Sequence, residues 1–145
     1  MKKLPYKEFL YSFKLAPRLA ICLLVENSKE ELLLAKRATS PGKGLWHYPG
    51  SFLIKNEKIT DCIRRVAKDE LGIKINGQKA KFVGVSENLN TDSRGHVVDL
   101  IYNIKLESNI TLKPNKYSKE LIFFAKLPGK IGFNHKEVLN KIGYK

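Results

Sequence analysis

The stretch Gly50–Ile73, GSFLIKNEKITDCIRRVAKDELGI, decides the fold. A loop opens at Pro49-Gly50, and the spacing predicts a helix from about Ile59 to Leu71 that ends at Gly72, where a glycine C-cap belongs. At 100° per residue Ile59, Cys62, Ile63, Val66, Ala67 and Leu71 share one side, and Lys58, Asp61, Arg64, Arg65 and Lys68 share the other. Glu70 breaks the division, because it stands inside the apolar stripe with Asp69 at the stripe's edge. An inward carboxylate is costly unless a cation or strong donors meet it. A divalent metal is one such partner, since hard cations take carboxylate oxygens.

The same stretch resembles the Nudix box of pyrophosphate-cleaving hydrolases. The family pattern is a Gly, five residues, a Glu, seven residues, then Arg-Glu-(apolar)-x-Glu-Glu-x-Gly-(apolar). Here it reads Ser51, five residues, Glu57, seven residues, then Arg65-Val66-Ala67-Lys68-Asp69-Glu70-Leu71-Gly72-Ile73. The spacing is kept, and Glu57, Arg65, Glu70, Gly72 and Ile73 match. Asp69 is a conservative change. Ser51 replaces the second glycine of the usual Pro-Gly-Gly, and Val66 replaces a glutamate that in most of the family is a metal ligand.

Upstream, the order strand, Arg37, Pro/Gly loop, Leu45-Trp46-x-Tyr48-Pro49-Gly50 extends the likeness. Within the family it is most similar to the GDP-mannose mannosyl hydrolase subgroup, which also lacks the first glutamate after the arginine. That resemblance implies one metal, Mg²⁺ with Mn²⁺ as an alternative, held by Glu70 and the backbone oxygen of Gly50. Asp69 would be a further ligand or a water-orienting base, and Arg37 would contact the diphosphate and stabilise the leaving group. Three subgroup features are missing. An arginine expected after Pro-Gly-Gly is Phe52, an acid expected on the first strand falls on Ile21-Cys22, and a late Gln-His pair aligns with Tyr117-Ser118.

The rest of the chain is consistent with one domain over residues 1–145, long enough for a real core. No apolar run approaches the ~20 residues needed to span a bilayer, and Lys and Glu interrupt the apolar positions of the basic N-terminus. A cytoplasmic protein without a membrane partner is the expectation, with Cys22 and Cys62 as buried free thiols. The net charge of +13 favours polyanionic partners. Because the lysines are scattered, a solvated basic surface explains it at least as well as nucleic-acid binding.

Tyr6, Phe9, Leu10 and Phe13 stand at helical spacing, so residues 1–16 are expected to carry an amphipathic helix packed on the domain or on a second subunit of a homodimer. RLAICLLVE (18–26) reads as a buried central strand with a hairpin partner at 31–36. Further strands are expected at 79–86, with a bulge at Gly84, at 97–106 and at 121–126. In 97–106, Val98, Leu100, Tyr102, Ile104 and Leu106 are taken as the core face, while Asp99 and Asn103 point towards a wet cleft. The polar loops 88–95, a candidate substrate-specificity loop or else a solvated hairpin connection, and 107–119 separate these strands, and Asn134-x-x-Glu137 reads as a capping box opening a last helix. The pattern alone implies α+β. With the family resemblance it becomes an α/β/α sandwich on a mixed sheet.

Diphosphate cleavage needs a cation, a positioned water and an acceptor for its proton. Residues at i, i+3 and i+4 converge on a helix, so positions 66, 69 and 70 form a triangle of two acids and a valine. Each candidate has an ordinary alternative. Glu70 is a metal ligand or a buried partner of Arg65 or a loop donor. Asp69 is a ligand or base, or pairs with Arg65 on the helix surface. Glu57 matches a position that is chiefly structural, pairing with Arg65. Arg37 is a phosphate contact or a strand-end charge, and Glu120 a late ligand or a solvated charge. Phe52 and His96 are candidates for substrate contact, and His47 for a role in the motif loop. The expected function is Mg²⁺-dependent hydrolysis of a nucleoside diphosphate linked to another group, such as the sugar of GDP-mannose. A degenerate domain that binds nucleotide or RNA without cleaving it is the competing expectation.

Overall fold

The computed structural model describes residues 2–107 and 110–145. Met1, within the expected segment 1–16, and Ser108 and Asn109, within the expected loop 107–119, lie outside the described residues. The elements in order are α1 (Tyr6–Ser12), β1 (Arg18–Glu26), β2 (Leu32–Arg37), β3 (Trp46–His47), β4 (Gly50–Phe52), α2 (Ile59–Leu71), a 3-10 turn (Gly77–Lys79), β5 (Lys81–Asn88), β6 (Val97–Lys105), β7 (Ser118–Phe124) and α3 (His135–Lys141). No helix is long and apolar enough to cross a membrane among the described residues.

β1 is the spine of the mixed sheet, and its residues alternate between two layers. Ile21, Leu23 and Val25 join Cys62, Ile63, Val66, Ala67 and Leu71 of α2. Ala20, Cys22 and Leu24 join Tyr48, Val97, Ile101 and, from α3, Val138 and Leu139. This two-sided burial is why the strand is a continuous apolar run. α2 ends as expected, with Gly72 in the left-handed region at φ 69°.

β1 pairs with β6 in parallel over its whole length, from Arg18↔Val97 to Glu26↔Lys105. Its other edge takes β4 from Ala20↔Phe52 to Cys22↔Gly50. The expected hairpin between β1 and β2 therefore closes at a single pair, Glu26↔Leu32. The Asn27 side chain accepts from the Lys29 and Glu31 amides and replaces further ladder bonds. β2 then diverges and is covered by β7 and β3.

Other elements shift from expectation for local reasons. β7 starts at Ser118 rather than 121, because Asn115 Oδ1 accepts from the Tyr117 and Ser118 amides and turns the chain early. β5 has its irregularity between Phe82 and Gly84, at the expected bulge. In β6, Val97, Asp99 and Ile101 are more buried than Val98, Leu100 and Tyr102, because that face packs under α3. Asn134 does not cap α3. Its Nδ2 donates to Ser86 Oγ and the Glu87 carbonyl, tying the helix to β5 instead. α1 is shorter than expected and buries no residue. It rests on its own domain through Phe9 and Phe13, whose rings lie 5.2 and 5.5 Å from that of Phe52.

Candidate active site

A cleft of about 260 Å³ opens at one end of the sheet. Its walls come from β1 (Cys22), the end of β2 (Arg37), the β3–β4 segment (His47, Tyr48, Gly50, Ser51, Phe52), α2 (Glu70), the β5–β6 loop (Asp92, Arg94), β6 (Asp99) and the approach to α3 (Phe133, His135).

Arg65 of α2 anchors the cleft's rim. Its Nε and Nη2 donate to the two Glu57 carboxylate oxygens at 2.7 and 2.9 Å. Nη1 reaches Ser51 Oγ at 3.0 Å and Nη2 the Phe52 carbonyl at 3.0 Å. Glu57 also accepts from the Ile54 amide. Burial pushes the Glu57 carboxyl up, but the Arg65 and Ile54 hydrogen bonds outweigh it and hold the group below its ordinary value. The serine that departs from the glycine pattern is thus a partner of the anchoring arginine. Gly50 faces Cys22 across the strands, and a Cβ there would lie 3.0 Å from Cys22 Sγ and 3.1 Å from the Ile21 carbonyl. The Leu23 amide bonds the Pro49 carbonyl, so in the alternating ladder Gly50 is a non-hydrogen-bonded position with its carbonyl outside the β1 ladder.

Two arginines and three acids share the cleft. Arg37 Nε donates to the Pro41 carbonyl, and its guanidinium stands 5.3 Å from the Phe133 ring centre. Burial lowers its pKa and so does Arg94, while Glu70 and Asp92 pull the other way. Arg94 is pinned by Asp92, with Nε to Oδ1 at 2.9 Å and Nη2 to Oδ2 at 2.7 Å, and lies 5.1 Å over the Phe52 ring. Glu70 is pushed up to about 7 by burial, with Arg37 opposing. Among the described residues its carboxylate makes no hydrogen bond and no ion pair, although its backbone carbonyl accepts from Asn115. A half-buried, unpaired carboxylate at the wall of an open cleft suits a hard cation. It does so with few companions, because no group of three His, Cys, Asp or Glu side chains able to hold a metal exists among the described residues.

Asp99 is pushed up to about 6, chiefly by burial, and accepts weakly from the Cys22 thiol at 3.6 Å. A carboxyl raised in the folded state holds its proton longer there than in the unfolded chain. Its contribution to stability therefore falls as pH rises from about 4, the unfolded value, to about 6. Asp99→Asn should be more stable than the parent at pH 8 by up to a few kcal/mol, at about 1.4 kcal/mol per pKa unit. The difference should vanish below pH 4. Urea denaturation of both proteins across this range checks it.

The candidates from the sequence divide around this cleft. Arg37, Gly50, Phe52, Glu70 and His47 line it. Asp69 does not. Its carboxylate sits 3.6 Å from Lys3 Nζ, still near enough to Glu70 to raise its pKa. Val66 is fully buried in the core, so the triangle of positions 66, 69 and 70 contributes only Glu70 to the cleft. His96 lies at the start of β6 outside the lining, its carbonyl accepting from the Arg18 amide. Glu120 pairs with Lys36 at 2.8 Å on the β2–β7 ladder, away from the cleft. Asp92 and Arg94 reach the cleft from the loop 88–95, the candidate specificity loop of the sequence, and Tyr48 of the motif loop and His135 at the start of α3 line it too.

The family model for the NUDIX domain matches residues 16–138. The chain belongs to the Nudix family. The Nudix fold is also that of similar solved structures. A MutT/nudix family protein from Enterococcus faecalis superposes with a TM-score of 0.75 at 22% identity, covering 96% of this chain and 68% of that one. The Nudix domain of Shewanella oneidensis NrtR, solved with ADP ribose, gives 0.69 at 18% identity, covering 95% and 96%. A bifunctional NMN adenylyltransferase/ADP ribose pyrophosphatase from Francisella tularensis, complexed with AMP and a Mn ion, gives 0.74 at 18% identity, covering 94% of this chain and 47% of that one. In sequence, the Low-salt glycan biosynthesis protein Agl8 of Haloferax volcanii is 29% identical over 105 residues, which is 69% of this chain and 67% of that protein. The Nudix box of this chain is thus the β4–α2 segment, with Arg65 as its internal brace and Glu70 as its one cleft-facing acid.

Proposed function

We propose that this Nudix domain is a metal-dependent, cytoplasmic hydrolase of a nucleoside diphosphate linked to another group, nucleotide sugars such as GDP-mannose being the favoured class. The observation that carries the reading is that a half-buried carboxylate without a hydrogen-bond or ion-pair partner, Glu70, and the guanidinium of Arg37 line one cleft. A diphosphate needs a cation on each side of its charge. Glu70 and the Gly50 carbonyl would hold Mg²⁺ or Mn²⁺, and Asp69 would join them on release of Lys3. A metal bound there supplies charge neutralisation at the diphosphate and activates water at neutral pH. Arg37 grips the diphosphate oxygens, which suit the planar fork of a guanidinium. Phe52, with the Arg94 guanidinium over its ring, forms the adjoining apolar wall. Agl8's role in glycan biosynthesis and the AMP, Mn and ADP ribose bound by structural neighbours support a nucleotide-derivative ligand.

A second reading is a domain that binds nucleotide without turnover, favoured by the lack of a three-ligand metal cluster among the described residues. The metal itself separates the two. Mn²⁺ titrated into the protein and followed by paramagnetic resonance should bind at one site, and Glu70→Gln should weaken that binding at least about tenfold. Unchanged Mn²⁺ affinity in the variant would remove Glu70 from the metal site and favour the second reading.

A further inference from the structure

A second hollow adjoins the cleft. It is a groove of about 920 Å³ between the N-terminal segment and the loop that joins β4 to α2. Ser51, Phe52, Arg94 and Tyr117 line both spaces, so the two share a wall. Its size lies within the roughly 300–1,000 Å³ that encloses a small ligand. The groove joins aliphatic surface to positive charge. Leu4, Leu15, Leu19, Leu53 and Ile54 supply the first. Leu4 and Leu15 flank α1 and are 45% and 69% exposed, and α1 between them buries no residue. An isolated exposed leucine is ordinary, whereas several around one groove mark a binding surface. Lys2, Lys3, Lys55, Arg18 and Arg94 supply the charge. Lys3 and Arg94 are engaged by Asp69 and Asp92. Lys2, Lys55 and Arg18 have no ion pair among the described residues. The acid of the lining, Glu57, is taken up by Arg65 and the Ile54 amide.

This chemistry narrows the occupant. A nucleobase stacks on a free aromatic face. The Phe52 ring already carries the Arg18 and Arg94 guanidinium groups at 5.8 and 5.1 Å, Phe9 carries Arg18 at 5.6 Å and Tyr117 carries the Lys116 ammonium at 4.9 Å. Of the aromatic rings in the lining, Tyr6 alone has no cation over it among the described residues. A second copy of the chain, meeting this surface about a twofold axis, would set Lys2, Lys3 and Lys55 beside their equals, with a net charge of +13 on each chain. A flexible aliphatic chain with an anionic head satisfies both halves of the groove. The chain gains by leaving water against the leucines. The head meets the cations, and phosphate oxygens match the fork of a guanidinium.

We propose that this groove binds the apolar chain of an anionic amphiphile, a phosphate or diphosphate ester, with its head towards Arg94 where groove and cleft meet. The inference goes beyond the nucleotide reading of the cleft and does not rest on it. The ester is either a soluble monomer or a lipid drawn from a bilayer, and the two arms of the test tell these sources apart.

The first arm is calorimetry with butyl, octyl and dodecyl phosphate, each below its critical micelle concentration. Affinity should rise at least about threefold for every two carbons added, as methylenes leave water. Leu4→Asp and Leu15→Asp alter exposed positions, so both variants should fold with the parent's melting temperature. Each should weaken dodecyl phosphate at least about fivefold and leave butyl phosphate within about twofold, because only the longer chain reaches the leucines. The second arm is flotation with phosphatidylcholine vesicles containing phosphatidic acid. Flotation of the parent that is lost in Leu15→Asp identifies a bilayer lipid as the source. Binding of dodecyl phosphate without flotation identifies a soluble ester. Affinity independent of chain length would overturn the proposal, and so would a length dependence unchanged in both variants. A dimer in sedimentation velocity that Leu15→Asp dissociates, with no chain-length dependence, would overturn it in favour of a second copy. Binding of GDP, measured on the same samples, reports on the nucleotide reading separately, since either result there leaves the chain-length test standing.

Discussion

Glu70→Gln is expected to abolish most turnover, by about a thousandfold or more, while the folded protein keeps or gains stability at pH 8. The loss follows from the metal's share of transition-state stabilisation, several kcal/mol, at about 1.4 kcal/mol per tenfold. The stability change follows from burial. The Glu70 carboxyl is pushed up to about 7 because the protein disfavours its charge, and glutamine keeps the shape without the charge. A residue that mattered only to folding would move both properties downward together. The opposed movement, read by steady-state kinetics and thermal melting on the same samples, is specific to a carboxylate held in place for a ligand.

The second large effect is structural. Arg65→Met should lower stability by about 3–5 kcal/mol, because it strands Glu57, whose side chain is 2% exposed, without its cation. The melting temperature should fall by on the order of 10 °C. The same guanidinium also bonds Ser51 and the Phe52 carbonyl, so the strand carrying Gly50 should loosen and turnover should fall as well. The penalty should shrink as pH falls from 7 to 4, because the unpaired, buried Glu57 of the variant takes up a proton more readily than a solvated glutamate. Replacing both partners, Glu57→Gln with Arg65→Met, should recover much of the lost stability. Urea denaturation of the single and double variants at pH 7 and pH 4 checks all three expectations, and a loss under 1 kcal/mol in Arg65→Met would contradict the role given to this pair.

What was legible in the chain was what local chemistry dictates. The α2 helix carries its own stripe and its own left-handed stop at Gly72, and β1 declares two-sided burial by an unbroken apolar run. Arg65 and Glu57, eight residues apart, were paired by the motif's spacing and meet in space. What was not legible depends on which strands become neighbours. Asn27 turns the chain so that β2 leaves β1 after one pair, and no local pattern announces it. Asp99 was legible as a polar residue on β6 facing a wet space. Its place beside Cys22 follows only from the parallel β1–β6 register, Ala20↔Asp99. Arg94 reaches the cleft because Asp92, two residues before it, and Phe52, on the distant strand β4, hold it, and the sequence does not show that the loop meets that strand. Helical spacing suggested that Asp69 and Val66 would converge with Glu70. The core claims Val66 and the N-terminal Lys3 meets Asp69, so spacing on a helix described neighbours without saying which side of them is open.

The measurement that tests the central claim most directly is product analysis after incubation with nucleoside diphosphate sugars, dinucleoside polyphosphates and nucleoside triphosphates, with and without Mg²⁺. The account predicts Mg²⁺-dependent turnover of the nucleotide sugars, lost in Glu70→Gln. Free sugar with intact nucleoside diphosphate would locate the cleavage at the sugar carbon, and sugar phosphate with nucleoside monophosphate would locate it at the pyrophosphate. No turnover of any class by the well-folded protein, in Mg²⁺ or Mn²⁺, would contradict the account and leave the cleft as a binding site alone.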